Sequence, residues 1–442
     1  MFGKPGSVDS VAVHEITNFS LSCFTLISVN AEIIAVGSEL LTPYRQDTNS
    51  LWLTEQLNQF GVEVIFKGII GDHLANLTSG VRAALDRAEI TIVTGGLGPT
   101  EDDLTREAVA AALGREVRRD PELLTRLYTR FAERRMKMPE NNERQADVIE
   151  GATVLPNPKG TAPGQWIEAE REGTKRIVIL LPGPPWEMKA LFQEHCVERL
   201  RAQVPKAYIA TRTLKIAMMP ESQCDMRIAP IYKRYSDIQT TILAGAGEIE
   251  VHLRARGEDE EAVQHRADQL AGEIVDELAD FVYSGQGEKL EQIVGYYLQM
   301  RRATVAVAES CTGGLLGQRI SSISGSSRYF LGGVISYSND LKTLFANVPP
   351  LMIQAHGAVS REVAAAMAEG IREECNATIG VAITGVAGPT GGTDEKPVGL
   401  VYHALHDGVT TEVVERTYPG DRDRVRLWAS QQALDMIRRK LM

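Results

Sequence analysis

Short apolar runs in this chain break into glycine or serine and are followed by helical patterns, and this alternation recurs in two separate stretches. No other feature constrains the fold as much. In the first stretch AEIIAVG (31–37) reads as a buried strand ending in glycine. A helix follows over 49–60, with Leu51, Trp52, Leu57 and Phe60 as its apolar positions, and then a strand, VEVIFKGII (62–70). A helix over 74–88 leads to EITIVTGG (89–96), a strand running into a glycine-rich turn. DDLTREAVAAALG (102–114) predicts a helix with acids in its first turn and Gly114 just past its end. RIVILLPGPP (176–185) adds a further apolar strand. Strands separated by helices pair in parallel, so a sheet covered on both faces is expected.

The second stretch begins near Leu290. TVAVAES (304–310) is a strand meeting a helix start, and FLGGVISYS (330–338) is another strand. Residues 360–375 predict a helix capped by Ser360, and ATIGVAITGVAG (377–388) a strand entering a glycine-rich loop. A hairpin is expected over 397–418 with Asp407 and Gly408 at its turn, then a basic closing helix from about Asp421. Between the two stretches, TLKIAMM (213–219), TTILAGAGEIEVHLRAR (240–256) and an acidic amphipathic helix over 257–282 form a small α+β unit. The predicted domains are therefore 31–205, 206–285 and 286–442, all of mixed α/β character. Residues 1–30 read as a disordered extension, with Val29 as a candidate true start from an alternative start codon; a genuine extension is the other reading.

The chain carries 47 Lys and Arg against 58 Asp and Glu, a net charge of -11 over 442 residues. A diffuse acidic surface repels phosphate backbones, which argues against nucleic acid as a partner. A small anion needs only local N–H groups and a few cations. The five cysteines are widely spaced, with no C-x-x-C pair, which fits a reducing cytoplasm. No apolar run reaches bilayer length, so no membrane role is expected.

AESCTGG (308–314) places Ser310 at a strand-to-helix junction, where its hydroxyl would be exposed beside helix N–H groups. That suits a nucleophile with an oxyanion hole built from the 311–314 backbone (Cys311, Thr312, Gly313 and Gly314). Alternatively, Ser310 or Thr312 simply caps the helix. A serine needs a base, and no histidine is near. YSNDLK (337–342) offers Tyr337 and Lys342, although a lone lysine is more often a solvated surface group. GVAGPTGGT (385–393) contributes Gly385, Gly388, Gly391, Gly392 and Thr393 as a cradle for phosphate. Arg422, Arg424 and Arg426 bring positive charge near it.

Together, AESCTGG, SYSNDLK, GVAGPTGGT, KPVG and PGDRDRVR make residues 290–442 resemble the C-terminal domain of the CinA family, a nicotinamide-nucleotide amidase. The resemblance implies hydrolysis of nicotinamide mononucleotide to nicotinate mononucleotide and ammonia. It makes Ser310 the nucleophile and Tyr337 and Lys342 its activating partners, and it needs no metal. The family commonly has glycine where this chain has Thr390.

The N-terminal stretch carries a second set. In TGGLGPTEDDLT (94–105), Gly95, Gly96, Gly98 and Thr100 suit a phosphate, and Asp102 and Asp103 follow at once. Carboxylates beside a phosphate require a cation between them, so Glu39, Asp47, Asp102 and Asp103 suggest a divalent metal; the alternative is that the two aspartates only complement a helix dipole. Residues 31–200 resemble the molybdopterin-binding fold, a three-layer domain. Asn49 in QDTNS, Asn142 and Gln145 in PENNERQA, NPKGTAPG (157–164) and LPGPPWEM (181–188) match its CinA version. Ser38, Pro184 and Trp186 stand where that family varies. The resemblance implies hydrolysis of ADP-ribose to AMP and ribose 5-phosphate with Mg, Mn or Co, hence a role in recycling pyridine nucleotides. The middle unit resembles a KH-like domain without its basic GXXG loop, so RNA binding is not expected. Two other readings stay open: a pterin-binding module, and a non-catalytic competence protein. The hairpin edge suggests a homodimer or higher homo-oligomer.

Overall fold

The computed structural model describes residues 29–442, so most of the expected extension lies outside the described residues. Asn30 already belongs to the first strand. The described residues form two compact units, which divide between Lys206 and Ala207.

The first unit is built on β1 Asn30–Val36, β2 Glu63–Ile70, β3 Ile90–Thr94, β4 Val117–Arg119, β5 Asp147–Ile149, β6 Thr153–Leu155, β7 Gly164–Arg171 and β8 Thr174–Leu181. Six of these form one sheet in the order β2-β1-β3-β8-β7-β6, and β4 and β5 form a separate ribbon. Strand alternation splits the core between the two faces: Ala31 and Ile33 pack on one side with Leu53 and Phe192, Ile34 and Val36 on the other with Leu77 and Val109. Helices cover both faces, as the apolar runs required.

The sheet is not wholly parallel, which corrects the simple alternation reading. β2, β1, β3 and β8 run parallel, whereas β7 pairs antiparallel with both β8 and β6. The cause is a tight hairpin between β7 and β8 at Glu172 and Gly173, both with positive φ (52° and 72°). A second correction concerns the helix predicted from Asp102. It begins at Thr105, and Gly114 ends it in left-handed backbone as expected. Asp102 and Asp103 therefore sit in the loop ahead of it.

The second unit opens with β9 Tyr208–Ala217, β10 Ile238–Ala244, β11 Glu248–Gly257 and β12 Val282–Ser284, in the order β10-β11-β9-β12. Helices Glu221–Tyr232 and Glu260–Leu278 bury Ile228, Leu270 and Ile274 against one face. Five strands follow: β13 Val305–Glu309, β14 Phe330–Ile335, β15 Ile379–Gly385, β16 Leu400–His406 and β17 Thr411–Thr417, ordered β14-β13-β15-β16-β17. The helix Arg361–Glu374 covers one face; Leu290–Met300 and Arg422–Leu441 cover the other. Ala217 and Tyr283 of the middle domain share the second of these cores. Asp407 accepts from the N–H groups of Val409 and Thr410 at the β16–β17 turn, as predicted.

Both large sheets have a point where consecutive connections leave a central strand in opposite directions, at β1 and at β13. Open α/β sheets bind ligands beyond the strand ends at such points. Among the described residues, no helix is long and apolar enough to cross a membrane.

Candidate active site

Ser310 leaves the sheet at the end of β13. Its N–H donates to the Ile383 carbonyl at 2.9 Å, continuing the bonding to β15. Gly313 (φ 59°) and Gly314 (φ 94°) then turn the chain through left-handed backbone, which costs other residues about 1–2 kcal/mol each. A Cβ on Gly314 would also lie 3.0 Å from Cδ1 of Ile335. The helix Leu315–Ser321 begins only after this turn.

Neither Ser310 nor Thr312 caps that helix. Thr312 Oγ1 is buried without a hydrogen-bond partner, and Ser310 Oγ faces Lys342, whose Nζ lies 3.1 Å away. The N–H groups of Gly314, Leu316 and Gly317 donate instead to the buried Glu309 carboxylate. This narrows the predicted oxyanion hole. Gly313 N–H bonds the Ser310 carbonyl and Gly314 N–H bonds Glu309, so of residues 311–314 only Cys311 and Thr312 have N–H groups outside these bonds. The Cys311 thiol is buried, and burial pushes its pKa up to about 12, so its side chain is inert and its backbone is what it can offer.

Lys342 sits on the helix Asn339–Ala346, whose start is capped by Ser338. It is 1% exposed. Its Nζ bonds Ser310 Oγ, the Ser336 carbonyl (2.8 Å) and, more weakly, the Tyr337 carbonyl (3.5 Å). All three partners are neutral oxygens. Burial therefore holds its amine below the ordinary lysine range.

Tyr337 is placed differently from the expectation. Its hydroxyl accepts from Arg422 rather than bonding Ser310, and the ring is half exposed. Arg422 also donates to the Gly388 carbonyl at 2.8 Å, joining the glycine-rich loop to Tyr337. Arg426 reaches the turn itself, with Nε and Nη2 at 3.1 and 3.0 Å from the Thr312 carbonyl. Arg424 acts at the helix start, where its N–H bonds Asp421. The loop glycines have backbone reasons of their own. Gly385 ends β15, where a Cβ would lie 2.6 Å from the Leu400 carbonyl oxygen. Gly388 and Gly391 have φ of 80° and 88°, and a Cβ on Gly392 would meet the Val398 nitrogen at 2.8 Å. Thr393 closes its own turn onto Lys396.

In the first unit the glycine-rich loop follows β3. Gly95 (φ 103°) and Gly96 (φ 64°) have no room for a Cβ, being held against the Val36 carbonyl and Thr105 Oγ1. Asn49 bonds Thr94 Oγ1 and the Gly183 carbonyl through Nδ2, and its Oδ1 is buried and unpartnered. The predicted metal ligands are not gathered. Asp103 accepts from the N–H groups of Gly98 and Thr100 and from the Thr100 hydroxyl, so it braces the loop. Asp102 takes the same hydroxyl. Asp47 caps the helix Asn49–Asn58 through the Ser50 N–H, and Glu39 lies on an exposed turn after β1. Among the described residues, no group of three or more His, Cys, Asp or Glu could hold a metal ion.

Asn142 donates to Gln145, which lines a cavity of about 120 Å³ with Asn157 and Arg130. Two arginines escaped the sequence reading. Arg144 ties the loop to this segment through the Thr100 and Asp103 carbonyls. Arg106, 2% exposed, donates to the Leu97 carbonyl beneath the loop, and burial lowers its pKa to about 10. Only their position after acidic loop residues hinted at either.

Fold and site define a three-domain α/β protein whose C-terminal domain holds a buried serine–lysine pair at a strand-to-helix turn. Residues 287–441 match the CinA C-terminal domain, 32–202 a probable molybdopterin binding domain and 211–284 the damage-inducible protein CinA KH domain. A CinA-like protein of Koribacter versatilis is 61% identical over 412 residues, covering 93% of this chain and 100% of that protein. A putative competence-damage inducible protein of Acetivibrio thermocellus is 40% identical, covering 94% and 99%. The solved structure of the competence/damage inducible protein CihA from Agrobacterium tumefaciens is 37% identical over 33% of this chain and 90% of its own, with a TM-score of 0.33. The chain belongs to the CinA family.

Proposed function

We propose that the C-terminal domain hydrolyses the carboxamide of nicotinamide mononucleotide, releasing ammonia and nicotinate mononucleotide. One observation carries this reading: a lysine amine with no counter-charge, buried 3.1 Å from a serine hydroxyl at a strand end. Neutral Lys342 takes the Ser310 proton as Oγ attacks the amide carbon. The tetrahedral oxyanion meets the N–H groups of Cys311 and Thr312. The Lys342 ammonium then protonates the leaving nitrogen, the C–N bond breaks and ammonia departs. Water attacks the resulting ester, Lys342 accepts its proton, and that proton returns to Ser310 Oγ as the acid leaves. Arg422, whose side-chain partners are neutral oxygens, has its charge available for the 5′-phosphate.

The test is ammonia release from nicotinamide mononucleotide with and without EDTA, beside Ser310→Ala. EDTA-resistant release that disappears in the variant supports a serine amidase. Release that persists in the variant excludes the covalent route.

Hydrolysis of ADP-ribose to AMP and ribose 5-phosphate is the second reading, for the N-terminal domain. The unpartnered Asn49 Oδ1 beside the 94–98 loop favours a ligand there. Among the described residues the four carboxylates do not form a ready-made metal site. AMP formation from ADP-ribose, with and without Mg, Mn or Co, decides it; saturable pterin binding without turnover would favour a pterin module.

A further inference from the structure

We infer that Glu309 is the positioning residue of the proposed amidase site, setting Ser310 and Lys342 relative to each other. This rests on the serine–lysine reading above. Glu309 is 1% exposed, and its carboxylate is held by backbone N–H groups. Its Oε2 accepts from Gly314 at 3.1 Å and Leu316 at 3.0 Å, and its Oε1 from Gly317 at 2.8 Å. Helix starts leave such N–H groups unsatisfied, and the residue just before the helix ordinarily caps them. Here that residue is Gly314, which has no side chain. The cap comes from the last residue of β13 instead and spans the turn that carries the nucleophile.

The main chain of the same residue reaches the base. Its carbonyl accepts from Ser336 N–H at 2.8 Å, and the Ser336 carbonyl accepts from Lys342 Nζ at 2.8 Å. The side chain thus holds the Ser310 turn while the carbonyl holds the strand end that holds Lys342. Arg426 grips the far side of the turn through the Thr312 carbonyl. With Gly314, Leu316 and Gly317 bonded to Glu309, the helix start is closed to substrate, and catalysis depends on the exact pose of a short turn.

Glu309→Gln tests this in the full chain. The amide keeps the size but presents N–H groups to backbone donors, so at least one of the three bonds is lost. The expected result is a fall in kcat for ammonia release of about 100-fold, with KM changed less than about threefold. Hydrogen exchange at Gly314, Leu316 and Gly317 should accelerate while the β13 amides stay protected. A kcat within about twofold of wild type, or unchanged exchange at those amides, overturns the proposal. So does a loss of activity that only tracks global unfolding. If Glu309→Gln does not fold, Glu309→Asp, one methylene shorter, is read in the same way. A wild type that releases no ammonia defeats the amidase reading, while the exchange result still judges the cap.

Discussion

At the scale of single residues, the site turns on the amine of Lys342. Its three hydrogen-bond partners are neutral oxygens, so no carboxylate offsets the burial of its charge. Lys342→Met should lower kcat by about 10²–10⁴-fold with little change in fold, since a general base is worth that much. The sign of the pH dependence follows from the same burial. The neutral amine is the active form, so kcat/KM should rise with pH through the lowered pKa of Lys342 and level off above it. That rise should lie below about 10.4, the ordinary lysine value; a rise centred there would show a solvated lysine. Tyr337 makes a sharper distinction. Its hydroxyl bonds Arg422 and not Ser310, so Tyr337→Phe should raise KM by about 3–10-fold and spare kcat. A kcat loss equal to that of Lys342→Met would put the hydroxyl in the proton path. AESCTGG and YSNDLK made both residues legible as candidates, but nothing in the spacing separates their roles. Lys342 lies 32 residues beyond Ser310, and its reach across that distance depends on the helix Asn339–Ala346 packing beside β13.

At the scale of elements, the turn between β13 and its helix governs the site. Gly314→Ala must enter left-handed backbone and push on Ile335, a cost of about 1–3 kcal/mol. Thermal unfolding should register that loss, and amidase activity should fall further than stability because Ser310 sits on the same turn. The glycines were readable as turn-formers in the sequence. The sequence also suggested that the N–H groups beyond them were free, and they are not: Glu309 occupies three. A strand residue's side chain points to one face or the other, and the apolar pattern AVAES does not say which face meets the following helix. The N-terminal loop repeats the lesson. Asp103 looked like a metal ligand after GGLGPT, yet it bonds the loop's own N–H groups.

At the scale of the molecule, the middle and C-terminal domains form one unit with a shared polar seam. Lys215 pairs with Glu248 at 3.2 Å and Glu250 at 2.8 Å, and Glu248 also meets Tyr283 and Gln431 of the closing helix. Burial works against the Lys215 charge, but the two carboxylates outweigh it and hold its pKa above the usual value. Lys215→Met should leave those carboxylates short of a cation and cost about 1–3 kcal/mol, allowing for their partial exposure. Differential scanning should show Tm lower by about 2–4 °C per kcal/mol. No shift would mean that the Lys215 pairs add nothing measurable to the stability of this unit.

What the sequence determined by itself was local or periodic. Strand–helix alternation set the class of both large domains, glycines marked the turns, and Asp407-Gly408 set the final hairpin. These follow from backbone sterics and from the period of apolar residues, which act over a few positions. The tertiary structure decided what depends on long-range approach: the antiparallel β7, the contact of Lys342 with Ser310, the diversion of Tyr337 to Arg422, and the scatter of Glu39, Asp47, Asp102 and Asp103. Hydrogen bonds are short and directional. Whether a carboxylate or an N–H group is free for chemistry therefore depends on which neighbours packing has already brought within about 3 Å.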